Sequence, residues 1–235
     1  MLDEPARIES FLSANTNGSM FDSLGFGWTK KNLTVFGNAT VLYADLYYFD
    51  NKLETYILKT FISPNKKQDY QKMLLEYESK YTRLLKKPMQ DNFYTYMYGE
   101  EKLLKPLDQL KETGLPTLLS SKIQYYMSPL SGIEYGYRAG LRGTLVENRQ
   151  HFKALQDSLN EEQVETMMYA INPATRLTAI EYYLKNKQHF TKSQRIDKWI
   201  ETVFAKAPFA TTITGCKIER LALNTAIEHF WSQTD

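Results

Sequence analysis

The strongest constraint on this chain is a switch to period two near residue 40. Leu42, Ala44, Leu46 and Tyr48 alternate with Val41, Tyr43, Asp45 and Tyr47, and a second β-rich run follows from Leu53 to Ile62. Alternation sorts side chains onto the two faces of a strand. Asp50-Asn51 separates the runs, and both residues accept the positive φ of a two-residue hairpin turn. The pattern predicts antiparallel pairing of residues 41–49 with 53–61. Phe93-Tyr94-Thr95-Tyr96-Met97-Tyr98 alternates again and predicts a third strand, with Tyr94, Tyr96 and Tyr98 on one face. Between them, Tyr70, Met73, Leu74, Tyr77, Tyr81, Leu84 and Leu85 recur at helical spacing after Ser63-Pro64-Asn65, and Pro88 ends the run. Residues 13–32, rich in Ser, Asn, Thr and Gly, read as a loop held down by Phe21, Phe26 and Trp28. Residues 1–99 are therefore expected to form a small ββαβ-like unit with an N-terminal loop.

From Glu100 onward the pattern turns helical. Leu103, Leu104, Leu107 and Leu110 form a stripe that Gly114 and Pro116 close, and Leu118, Leu119, Ile123 and Met127 form another. A long helix is expected over 131–157. Asn160-Glu161-Glu162-Gln163 has the form of a capping box, and Asn172-Pro173 an N-cap followed by proline at the first helical position. Ile196, Trp199, Ile200, Val203 and Phe204 give a further helix. Residues 208–217 read as a Thr-rich loop, and Ile218 to Phe230 as a terminal helix. The fold class expected is α+β and predominantly helical: a hairpin-containing N-terminal unit packed on a multi-helix body over 100–235 that forms one compact unit.

Several chemistries have no visible ligand set. The chain has one cysteine, Cys216, and three histidines, His151, His189 and His229. HExxH, CxxC, EF-hand, GxGxxG, GxxxxGK[ST] and GxSxG motifs do not occur, so no metal or other cofactor is expected. With 29 basic against 27 acidic residues the net charge is +2, which argues against nucleic acid as the partner. No apolar run is long enough for a transmembrane helix. The first residues, Met1-Leu-Asp-Glu-Pro, lack a secretory pattern, which leaves the compartment open with the cytoplasm slightly favoured and the cell envelope as the alternative. Oligomeric state is not legible.

Four features are candidates for function. Gly132, Gly136 and Gly140 lie four apart with Arg138, Arg142 and Arg149 interleaved. On a helix these glycines would admit a neighbouring backbone or a ligand, and the arginines an anion. Tyr94, Tyr96 and Tyr98 would line a groove wall. Cys216 follows Gly215 and would be a nucleophile only beside a His or a cation. Lys185, Lys187, His189, Lys192 and Arg195 form a local basic run.

Asn172-Pro-Ala-Thr-Arg176-Leu-Thr-Ala179-Ile180-Glu181 is the most distinctive block. It is similar to the second helix of HEAT-like repeats, although no repeat of fixed period accompanies it. Residues 160–217 also resemble the C-terminal half of uncharacterised Bacteroidetes proteins, in which an Asn-Pro-x-Ser/Thr-Arg helix precedes a Thr-Cys-x-Gly-Cys-like turn. Here Ile213 stands where the first of those cysteines would be, which removes a two-cysteine role, and the resemblance implies no established activity. The functional expectation is a non-enzymatic binding or interaction protein, with an unknown protein or small ligand contacting Gly136, Gly140, Arg138, Arg142, Tyr94, Tyr96 and Tyr98. The alternative is an enzyme of unrecognised type built on Cys216 or on an Arg-lined anion pocket.

Overall fold

The alternating runs do form strands, and they sit inside a larger sheet. The computed structural model describes residues 4–16, 19–36, 40–62, 65, 84–85, 93–104 and 120–231. They divide into two units: Met1–Ser23 with Gly27–Lys102, and Leu24–Phe26 with Leu103–Asp235.

In the first unit, strands β1 (Ser19–Gly25), β2 (Trp28–Phe36), β3 (Thr40–Phe49), β4 (Lys52–Ile62), β5 (Leu84–Leu85) and β6 (Phe93–Tyr98) form a six-stranded sheet of order β1-β2-β3-β4-β6-β5. The expected hairpin is present: Phe49 pairs with Lys52 across Asp50 and Asn51, which both have positive φ. A bulge shifts the register between Tyr47, opposite Thr55, and Tyr48, opposite Leu53. The extra residue, Glu54, puts Leu53 and Tyr56 on the same face although they are three apart. That face collects Leu33, Ala44, Leu46, Tyr48, Tyr56, Leu58 and Tyr96 and is covered by Ile8 and Leu12 of helix α1 (Pro5–Asn15). The Tyr48 hydroxyl donates to the Glu9 carboxylate at 2.6 Å, tying α1 to β3. Burial, with the Glu9 bond and charge added, raises the Tyr48 phenol well above its usual value. A short helix, α2 (Glu100–Leu104), ends the unit with Lys102 paired to Glu54.

The loop expected over 13–32 is instead the α1 end and the β1–β2 hairpin. Gly25, Phe26 and Gly27 all have positive φ, so the glycines that suggested a loop are the reversal between two strands. Leu84 and Leu85, counted with the helix after Ser63, are a strand pairing with Tyr96 and Thr95. Most of that expected helix, and the stripe from Leu107 to Leu119, lie outside the described residues.

In the second unit, α3 (Ser121–Met127), α4 (Glu147–Lys153), α5 (Glu161–Met167), α6 (Pro173–Lys185), α7 (Ser193–Lys206) and α8 (Leu223–Trp231) are joined by the ribbons β7 (Arg138–Ala139) with β8 (Thr144–Leu145) and β9 (Phe209–Thr214) with β10 (Lys217–Ala222). Helix α6 is the centre: every residue from Pro173 to Glu181 is buried. Its neighbours are α3, α4, α5, α8 and β9. Both expected caps are formed. Asn160 and Gln163 exchange the two bonds of a capping box at α5, and Asn172 Oδ1 accepts from the backbone N–H groups of Ala174 and Thr175 at α6.

The fold is not predominantly helical: among the described residues about half are helix and a third strand. Two expectations account for the difference in this unit. No long helix spans 131–157, because Gly132, Gly140 and Gly143 adopt φ of 88°, 73° and 56°, which no right-handed helix contains. The chain there is a 3-10 turn, an extended stretch, the β7–β8 ribbon and α4. Likewise the Thr-rich segment and the start of the expected terminal helix are β9 and β10. Thr211, Thr212, Ile213 and Thr214 are β-branched, and Gly215, at φ 59°, opens a two-residue turn. The terminal helix starts only at Leu223.

Candidate functional site

Helix α6 is buried on nearly all sides, so its polar side chains must find partners inside the protein. They do so in a continuous seam. Asn172 Nδ2 donates to Ser128 O, Ser131 Oγ and Gly132 O at 2.8–2.9 Å. Asn148, on α4, donates to Ser131 Oγ and Thr175 Oγ1, and accepts from Tyr126 at 3.2 Å. Thr175 Oγ1 donates to Tyr126 O at 2.6 Å. Burial raises the Tyr126 phenol above its usual value.

The seam's far end is charged. Glu181 Oε2 accepts from the Tyr135 hydroxyl at 2.7 Å and from Arg149 Nη2. Arg149 Nε donates to Gly136 O at 2.9 Å, and the guanidinium lies 5.0 Å from the Tyr135 ring centroid. Burial is the largest single influence on Arg149 and lowers it, but the Glu181 charge and hydrogen bond, with Tyr135 and Tyr126, together make the net shift upward. Burial, then the Glu181 charge, holds the Tyr135 phenol well above its ordinary range. Lys185 Nζ stands 3.7 Å from the other Glu181 oxygen, one helical turn on.

This pair lines a cleft of about 270 Å³ in the second unit. Tyr137, Phe152 and Tyr182 give it aromatic walls, and Lys153 and Lys185 stand on its lining. The size is near the lower end for small-molecule sites, roughly 300 Å³ and upward.

The residues singled out in the sequence are dispersed. Gly136 packs against β9: a Cβ there would lie 2.4 Å from Ile213 O, so only glycine fits. The cause is a strand-like alignment in which Tyr135 bridges to Thr212. Gly140 has nothing within 4 Å of a Cβ position, and its role is the positive-φ turn. Arg138 is exposed and donates to Gly143 O at 2.8 Å, closing the β7–β8 ribbon. Arg142 is exposed beside Leu141 at the ribbon tip. Of the three interleaved arginines, Arg149 alone lines the cleft. Tyr96 is buried, and Tyr98 stacks on Tyr56 at 5.0 Å as part of the sheet core. Tyr94 sits opposite Thr60 in the register. Cys216 is exposed in the β9–β10 turn, and no hydrogen bond joins its thiol to a described residue. The basic run is matched by acids: Lys187 pairs with Asp197, Arg195 with Glu165, and the Lys192 N–H donates to Glu161.

Sequence reasoning missed Tyr135, Asn148, Thr178 and Glu181. The available signal was α6 itself, in which Thr175, Arg176, Thr178 and Glu181 are spread around a helix that leaves no face for solvent. No described helix is long and apolar enough to cross a membrane. No protein family, no curated protein and no solved structure matches this chain.

Proposed function

We propose that this chain is a non-enzymatic binding protein, and that its ligand enters the cleft above the Arg149–Glu181 pair. The observation that carries this reading is a buried ion pair, its carboxylate already engaged, on the lining of a concave space with three aromatic side chains. A general base needs a carboxylate able to take up a proton from a substrate. Glu181 already accepts from Arg149 and from Tyr135, and Lys185 stands beside its second oxygen. Such a carboxylate fixes the orientation of its neighbours. Arg149 is in turn held at Nε by Gly136 O, which gives a ligand a rigid donor group at little ordering cost. The cysteine alternative gains no support from an exposed turn thiol without a hydrogen-bond partner among the described residues.

Equilibrium dialysis of the intact chain against a mixed small-molecule extract, read by mass spectrometry, tests the proposal. The expected result is a compound retained by the protein and recovered unchanged, with retention lost in Leu145→Trp, which fills the cleft from its rim. Steady conversion of the retained compound would refute a non-enzymatic role. Equal retention by Leu145→Trp would place binding elsewhere.

A further inference from the structure

Resting on that reading of the cleft, we propose that its ligand is a small organic anion. The acidic group sits on the side of Arg149, Lys153 and Lys185, and the body lies against Tyr137, Phe152 and Tyr182. The charge of the lining decides the sign. Three cations face one carboxylate, Glu181, and that carboxylate is already engaged by Arg149. Lys185 stands 3.7 Å from the second Glu181 oxygen, so Lys153 is the lining cation that no carboxylate of the lining answers. Lys153 has no ion-pair partner among the described residues, and the Arg149 hydrogen bonds to described residues use only Nε and Nη2. A neutral ligand closing the cleft would take the Lys153 charge out of water without an opposing one, and a cationic ligand would add repulsion. An anion forms charge-assisted hydrogen bonds in a partly enclosed site, where they are stronger than in open water.

The walls set the rest of the ligand. Tyr137 and Tyr182 present ring faces or edges, and Phe152 and Leu145 are apolar. A planar or short apolar body suits them. About 270 Å³ accommodates a single ring with one acidic group and is small for a nucleotide. A carboxylate and a phosphate monoester share this chemistry.

The test is calorimetric titration of the intact chain with phenyl phosphate and, separately, benzoate, with benzyl alcohol as the neutral counterpart. The same titrations are run on Lys153→Gln and Leu145→Trp. At least one anion should bind more tightly than benzyl alcohol by about tenfold or more, the effect expected of a charged hydrogen bond. Its affinity should fall with added salt and drop about tenfold in Lys153→Gln, with benzyl alcohol unaffected there. The tighter of the two anions identifies the head group. Benzyl alcohol binding as tightly as both anions, with Lys153→Gln silent, overturns the anionic assignment and leaves the cleft reading in place. Failure of both anions to bind at millimolar concentration also overturns it. Anion binding unchanged in Leu145→Trp overturns the cleft itself as the site.

Discussion

Two asparagines cap helices in the second unit, one exposed and one buried. Asn160 accepts from Gln163 N and lies at the surface, as an ordinary cap does. Asn172 is fully buried, and its amide nitrogen also donates to Ser128 O, Ser131 Oγ and Gly132 O. Removing the first loses a cap bond that water replaces. Removing the second strands buried carbonyls and N–H groups that water cannot reach. Asn160→Ala is expected to cost about 1 kcal/mol and Asn172→Ala about 3 kcal/mol, measured as shifts in denaturant midpoint at constant slope. Equal costs would mean that the inner bonds of Asn172 contribute nothing. The sequence alone marks both residues as caps. It could not separate them, because burial of the segment that holds Ser128 to Gly132 depends on contacts some forty residues away.

Elements were legible where one local signal dominated. The β3–β4 hairpin, β6, α5, α6 and α7 each have a clear period and a defined end. The β7–β8 and β9–β10 ribbons did not, because a glycine at helical spacing and a glycine at positive φ look alike in a sequence. Gly140 is a case: its spacing from Gly136 suggested a stripe, yet its φ of 73° makes it a turn. The cleft was half legible for the same reason. Arg149 was visible as a cation near glycines, but Glu181 became its partner only through the packing of α4 on α6. That packing can be tested. Arg149→Met alone leaves Glu181 buried with only the more distant Lys185 charge opposite it, at a cost of about 3 kcal/mol. Adding Glu181→Leu should recover part of this loss. Recovery stops short because the Tyr135 hydroxyl then lacks its acceptor. A double variant as unstable as the sum of the singles, by chemical denaturation, would deny the coupling.

Across the whole molecule, buried phenols set the alkaline limit. Burial is the main cause that raises Tyr48, Tyr126, Tyr135, Tyr169 and Tyr183 above the usual phenol value near 10, Tyr169 to about 12. In the unfolded chain each ionises near 10. Their contribution is therefore complete below that pH and declines above it, by about 1.4 kcal/mol per pH unit per tyrosine. Arg176 acts in the opposite sense. Burial lowers it to about 9, so its burden on the folded state eases as pH rises past that value. Tyr125 is raised as well, and one group against six leaves the net slope above pH 10 downward. Part of the tyrosinate absorbance should appear only above pH 10, in a cooperative step that coincides with loss of circular dichroism. Ionisation of all seventeen tyrosines with the dichroism intact would contradict this.

Arg176 has a second consequence. Its guanidinium has no carboxylate partner among the described bonds; it donates to the carbonyls of Ala170, Ile171 and Leu24, and stacks over Phe26 at 4.8 Å. A Cβ on Gly25 would meet it at 2.9 Å. Leu24–Phe26 thus completes the second unit from a position 152 residues upstream of its partner. During synthesis on the ribosome, this tripeptide emerges long before the arginine that clasps it. This part of the second unit can be completed only once the chain has been made as far as Arg176, so the tripeptide must wait for a partner synthesised much later.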